Sequence, residues 1–479
     1  MSLATRPQAA VRRLNLMSLP NELLSIILTF ATSEYSVQEI FTLATVCSLF
    51  RDVLLKTPSV WADLKVTFYR GTDMANLVQL IKKWSKRSCA LPTTALTLSH
   101  DTGFSLFAPL PDGMSSLADF ILSGADPRTK HITLSFHGLS LESVTWMKEL
   151  FTKALGNKDL KPFENIRSLK LRAPCFAMPD DVTTFSQLFP NLDYLHVSFL
   201  RIRNGPISPS ADWFKHFALP TVRRMTVYIH IYQDICRRHL LPLILSQNPE
   251  LEILYLDIST WYPHLLTIFR PVTQKRIHTL HLSGHMDAVA RQLALVTCPR
   301  LTSLTILDAP FMNPLHNGGN LGVVPNILKM VNQSGCKLRV LDLSKSLLSD
   351  RQLFDLLRAL PSLRRVSISV RGNCDGSVFD MLHERSKTER VLPALKYIVV
   401  TVEASYQRLV VKKSGPRVAH GRRKTGKDVL MTRIFHDAPF WRFVQDPRRQ
   451  GSARRTGFAV LKSATFKVER KLAQAAGKT

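Results

Sequence analysis

The residues that could do chemistry are few, and none of them assembles. Gly421-Arg-Arg-Lys-Thr-Gly-Lys-Asp428 matches the GxxxxGK part of a phosphate-binding loop. The next position would have to be Ser or Thr to reach magnesium, and Asp428 stands there with no clear apolar strand before Gly421, so nucleotide binding is not expected. Among the 15 histidines, His278 with His281 and His131 with His137 form close groupings. Neither has HExxH or Cys/His zinc spacing, and outward polar positions on strands account for them. The cysteines at 47, 89, 175, 236, 298, 336 and 374 form no CxxC pair, and an odd number closes no disulfide framework, so reduced thiols in cytosol or nucleus are expected. No catalytic, metal or cofactor-binding residue is assigned; the expectation is a chain that is not an enzyme and uses no cofactor.

Binding is the chemistry left, and the charge is distributed for it. Residues 401–479 carry 19 Lys or Arg against 5 Asp or Glu, a net +14 that is half of the chain's +28. Lys412, Lys413, Arg422, Arg423 and Lys424 are the focus of this tail, in two clusters that resemble a bipartite nuclear-import signal. Phe440, Trp441, Phe443 and Val444, and again Phe458 to Val460, could instead cap the end of a repeat stack. The chain lacks any apolar run of membrane-spanning length. Met1 to Val11 has no apolar stretch with a cleavage site, which argues against secretion and for a cytoplasmic or nuclear protein.

Two kinds of element must position whatever this chain binds. Residues 16–64 read as three short helices. Pro20 suits an opening turn, and Leu23, Ile26, Ile27 and Phe30 recur at spacings of three and four as one apolar stripe that needs a partner. Ile40, Leu43, Ala44, Cys47 and Phe50 make a second periodic face broken near Thr45 to Cys47, and Pro58, Val60, Trp61 and Leu64 look like a lid over the core.

The second element is a longer period. The unit x-x-Leu-x-x-Leu-x-Leu occurs nine times, with its first apolar anchor at 166, 192, 222, 251, 277, 301, 338, 363 and 395. Most intervals fall in or near the range of leucine-rich repeats. Ala95 to Leu98 and Ile132 to Phe136 extend the pattern toward the N-terminus, and Arg351 to Leu360 has helical spacing between two copies. A strand, loop and helix cannot bury its apolar side alone, so stacking is expected, with parallel strands on a concave wall and helices on a convex one. The fold class expected is α/β: a three-helix module followed by a repeat solenoid.

Leu19, Pro20, Glu22, Leu23, Leu24 and Ile27, then Val46, Cys47, Phe50 and Arg51, then Pro58, Trp61 and Leu64 follow the order and spacing of the F-box pattern. The segment 16–64 therefore resembles an F-box, and the whole resembles F-box proteins with divergent leucine-rich repeats of the fungal type. The resemblance implies a substrate-recognition subunit of a cullin-based SCF ubiquitin ligase. Leu19, Pro20, Leu23, Ile27, Val46 and Trp61 would be divided between contact with the small SCF adaptor and the module's own core. The repeats would hold an unidentified protein target through outward side chains, with Lys170, His196, Tyr228, Tyr255, His281, Asp342 and Ser367 as candidates. The alternative is an F-box scaffold that works without the ligase, nuclear or in contact with nucleic acid through the basic tail.

The domain plan that follows is a flexible 1–15, the F-box at 16–64, a linker or capping helix at 65–90, repeats over 91–402 and a basic extension at 403–479. The Asn or Cys expected three positions after the last strand Leu is mostly missing, with His285 and Ser346 in its place. The usual asparagine ladder between turns is therefore expected to be weak.

Overall fold

A computed structural model describes residues 19–32, 37–87, 95–101, 110–124, 129–136, 141–156, 161–174, 183–200, 218–229, 240–258, 271–284, 286–308, 323–344, 348–371, 377–386, 388–389, 391–403 and 463–469. The chain forms two compact units, Met1–Arg203 and Asn204–Thr479.

The first unit opens with α1 (Asn21–Thr32), α2 (Val37–Val46), α3 (Ser48–Lys56) and a 3-10 turn, Pro58–Trp61. Strand and helix then alternate: β1 (Asp63–Phe68), α4 (Met74–Arg87), β2 (Ala95–His100), α5 (Met114–Gly124), β3 (His131–Phe136), α6 (Leu141–Gly156), β4 (Ser168–Pro174), α7 (Thr183–Leu188) and β5 (Tyr194–Leu200). The five strands lie side by side in chain order, all parallel, with Leu64, Leu96, Ile132, Leu169 and Leu195 in one register row.

The second unit repeats the scheme with β6 (Arg224–Ile229), α8 (Leu240–Gln247), β7 (Ile253–Ile258), β8 (Val272–Thr273), β9 (Thr279–Gly284), α9 (Met286–Leu293), β10 (Val296–Thr297), β11 (Ser303–Asp308), α10 (Val323–Ser334), β12 (Val340–Leu343), α11 (Asp350–Arg358), β13 (Arg365–Arg371), α12 (Ser377–Ser386), β14 (Tyr397–Glu403) and β15 (Ser463–Glu469). Its parallel sheet runs β6-β7-β9-β11-β12-β13-β14-β15, and β8 pairs with β10 apart from it. Each unit is thus an α/β repeat array of the leucine-rich solenoid kind.

Alternation explains the strands. Each of the nine anchors sits two residues before a strand, and the next apolar positions alternate inward, as Leu338, Leu341 and Leu343 do around the half-exposed Asp342. The helix expected near Arg351 forms as α11, started by a capping box in which Ser349 and Gln352 satisfy each other's backbone N–H groups.

The ladder expected to be weak is replaced by backbone. At the start of β12 the carbonyl of Thr302 accepts from both Arg339 and Val340, and at β13 the carbonyl of Arg339 accepts from Arg364 and Arg365. The same double bond runs through Arg167, Arg223, Glu252, His278 and Arg364. Buried Asn248 adds a side-chain tie, accepting from the Leu219 N–H 29 positions earlier at 3.0 Å, while Gln274 donates to the Asn248 carbonyl at 2.7 Å. At these steps the backbone supplies the tie between neighbouring repeats that an asparagine column would otherwise give.

Three boundaries differ from the sequence reading. The array begins at β1 rather than near residue 91, and α4, in the stretch read as a linker or capping helix, is the helix of that first repeat. Its start is hidden because Asp63 and Leu64, the first residues of β1, lie inside the stretch that the F-box motif claims. The extension after residue 403 contributes β15, which pairs in parallel with β14 from Ser463 to Glu469. The alternation Ala464, Phe466, Val468 was the signal for it, set in a basic context.

Candidate functional site

In the N-terminal module the motif residues build the helices. The Pro20 carbonyl accepts the first helical N–H, from Leu24, at 3.0 Å. Cys47 caps α3, its Sγ accepting the Phe50 N–H, and the Arg51 Nε donates to the Ala44 carbonyl at the end of α2. The buried core is made by Leu24, Leu28, Ile40, Val53, Leu54, Val60 and Trp61.

That core uses the opposite face of α1 from the stripe expected to pack. Leu23 is 48% exposed, Ile26 59%, Ile27 41%, Phe30 82%, and Val46 at the end of α2 64%. Both faces of α1 are apolar, so periodicity alone selects neither. Burial of Leu24 and Leu28 leaves the other face outside, as a cluster of exposed large apolar side chains.

Trp61 does not belong to that surface. It is fully buried, its indole N–H bonds to the Leu54 carbonyl at 2.8 Å, and it meets Phe41 and Trp84 edge-on at 5.7 and 4.6 Å between ring centroids. A side chain so enclosed touches no adaptor and is removed from the contact set. Leu19 is half-buried at the mouth of α1 and Pro20 is exposed beside it. The remaining candidates, Leu19, Pro20, Leu23, Ile27 and Val46, all keep accessible surface.

Trp84 and Trp61 also show that the module shares structure with the first repeat. The Gln38 Nε2 donates to the Thr67 carbonyl on β1 at 2.9 Å, and the Trp84 Nε1 to the Trp61 carbonyl at 2.8 Å.

On the sheet face the proposed target residues fall into register rows. Lys170 is paired with His196 in the first unit. In the second, Tyr255, His281, Asp342 and Ser367 lie in one row through Thr305, with Tyr228 two positions further along β6. The Tyr255 and His281 rings are 5.1 Å apart. Ser367 is buried and is withdrawn as a contact. Burial first, then Lys170 and Arg172, pulls the His196 imidazole below its ordinary range. Its ring therefore favours the neutral form.

No family model matches the chain, and no curated protein matches it. Solved structures resemble it at low identity. The leucine-rich repeat-containing protein LegL7 from Legionella pneumophila matches at 14% identity over 78% of this chain and 98% of its own, with a TM-score of 0.34. The Rad7 and Elc1 complex in yeast matches at 18% identity, covering 84% of this chain and 96% of the other, at 0.32. A Bacteroides fragilis protein matches at 13% over 69% and 77%, at 0.31.

Among the described residues no group of His, Cys, Asp or Glu could hold a metal ion, and no helix is long and apolar enough to cross a membrane. Lys412, Lys413, Arg422, Arg423 and Lys424, like His285, Ser346 and the phosphate-loop-like segment from Gly421, lie outside the described residues. Sequence reasoning passed over Ile26 and Phe30 as contacts, although both stood in its stripe. It also passed over a row of cations at the strand starts of the second unit.

Proposed function

We propose that this chain is a non-catalytic substrate-recognition subunit of a cullin-based SCF ubiquitin ligase, acting in cytoplasm or nucleus. The small SCF adaptor docks on the module of α1, α2 and α3, and the repeat arrays hold a protein target. The observation that carries the reading is the exposed apolar face Leu23, Ile26, Ile27, Phe30 and Val46 on a module whose core residues are buried without it. A terminal cap on a repeat array needs an apolar underside only; it has no use for a second, outward one. Together with the F-box spacing of Leu19 to Leu64, this supports an obligate partner for that face. Ubiquitin transfer would then follow from proximity, the receptor holding a lysine-bearing target beside a charged enzyme elsewhere in the complex.

Copurification tests this. The full chain coexpressed with the adaptor should retain it and, through it, a cullin, while the paired change Leu19→Ala with Pro20→Ala should release both with the repeats still folded. Stoichiometric adaptor on the double variant would remove these two residues from the interface, and absence of the adaptor from the unaltered chain would end the ligase reading.

A further inference from the structure

The starts of β11 to β14 in the second unit carry a row of positive charge that the sheet-face candidates do not include. Arg339, Arg364 and Lys396 stand one residue before Val340, Arg365 and Tyr397, which are register partners, so the three occupy equivalent places on adjacent strands. Arg300 and Lys337 join them through the turns before β11 and β12, where Gly335, at φ +57, ends α10 in the left-handed conformation and turns the chain toward the rim. Arg300, Lys337, Arg339 and Arg364 are exposed and Lys396 is half-exposed.

Carboxylates near this edge are already taken on one side only. Arg276 pairs with Glu250, and His278 lies 4.0 Å from Glu252, both ahead of β7 and β9. Beyond them, among the described residues, no carboxylate pairs with Arg300, Lys337, Arg339, Arg364 or Lys396. A groove of about 690 Å³ lies beside the strand starts from β7 to β12, lined among others by Glu252, Arg276, His278, Arg300, Lys337 and Arg339, and Arg364, whose N–H donates to the Arg339 carbonyl, stands beyond its end. Like charges brought together this closely repel one another, and a bound anion would relieve that repulsion.

We infer that this rim binds an extended acidic segment of a partner protein, rich in carboxylates or phosphates. Adjacent strands lie ~4.8 Å apart, so β11 to β14 span roughly 15 Å, the length of four or five extended residues. A peptide is favoured over a nucleic acid by what lines the groove. The one aromatic ring among the lining residues is His278, which lies 4.0 Å from the Glu252 carboxylate, and Glu252 opposes a continuous phosphate backbone but can accept a peptide N–H. The inference stands independently of the adaptor, whose surface lies on α1 and α2.

Fluorescence anisotropy on the full chain at low salt tests it, with labelled oligoglutamate, its phosphoserine counterpart and a single-stranded oligonucleotide as probes. One or both peptides should bind, the stronger of the two identifying the acidic source, and added salt should weaken them. Arg339→Glu with Arg364→Glu should reduce peptide affinity by about tenfold or more. The milder Arg339→Gln with Arg364→Gln guards against misfolding, and Lys329→Glu, on the exposed side of α10, should change nothing. Peptide affinity unaltered by either rim variant, or no peptide binding to the unaltered chain, overturns the inference. So does an oligonucleotide that binds more tightly than the peptides and is lost with the same reversals.

Discussion

The indole N–H of Trp84 donates to the carbonyl of Trp61 at 2.8 Å, and the two fully buried rings cross edge-on with centroids 4.6 Å apart. This pair joins the last turn of the helical module to the helix of the first repeat, and Phe41 on α2 packs against both rings. The module is therefore built onto the array. Trp84→Ala should cost about 3–5 kcal/mol, as emptying a large buried aromatic site does, and Trp84→Phe should recover most of the packing but not the hydrogen bond. Chemical denaturation of both variants checks this; a Trp84→Ala midpoint equal to the unaltered chain's would mean that the two parts do not depend on each other.

The two faces of α1 should answer differently to the same change. Ile27→Asp with Phe30→Asp removes exposed apolar surface and should abolish adaptor copurification while leaving the melting temperature nearly unchanged. Leu24→Asp, one residue from Leu23 but inside the core, should cost several kcal/mol by placing an unpaired carboxylate among Leu28, Leu54 and their neighbours. Similar melting-temperature losses from the two would contradict the orientation of the helix.

Within β12 the strand phase makes a parallel case. Leu341 is fully buried, and Leu341→Asp should destabilise by several kcal/mol. Asp342 is half-exposed and its Oδ1 accepts the Ser344 N–H at 2.9 Å, so Asp342→Ala should cost only about 1 kcal/mol. Equal losses in urea denaturation would rule out this phase.

His196 supplies a pH dependence. Its folded-state pKa is lowered by burial, then by Lys170 and Arg172, so below the unfolded value the unfolded chain binds a proton that the folded chain resists. Stability should fall as pH drops through the ordinary histidine range, and His196→Gln should flatten that part of the profile. Denaturation midpoints measured from pH 7.5 down to 5 compare the slopes; an identical slope in the variant would assign the effect to other groups.

What the amino-acid order determined by itself was local and periodic. A strand with alternating burial must place apolar residues two apart, so the nine anchors from Ile166 to Leu395 located nine strands, and the weaker pieces at Ala95 and Ile132 located two more. The break near Val46 was legible too, since capping and turn chemistry act over three or four residues. Where two readings were equally apolar, only tertiary packing chose. Leu24 and Leu28 face inward on α1 and Leu23, Ile27 and Phe30 outward, because α3 and the Pro58–Trp61 turn arrive from later in the chain to cover one side. Ser463–Glu469 pairs with a strand that ends 60 positions earlier, at Glu403, and no local pattern carries that distance. The cations of the rim are likewise scattered over nearly a hundred residues, from Arg300 to Lys396, and become one surface only because parallel register sets the start of each strand beside the next.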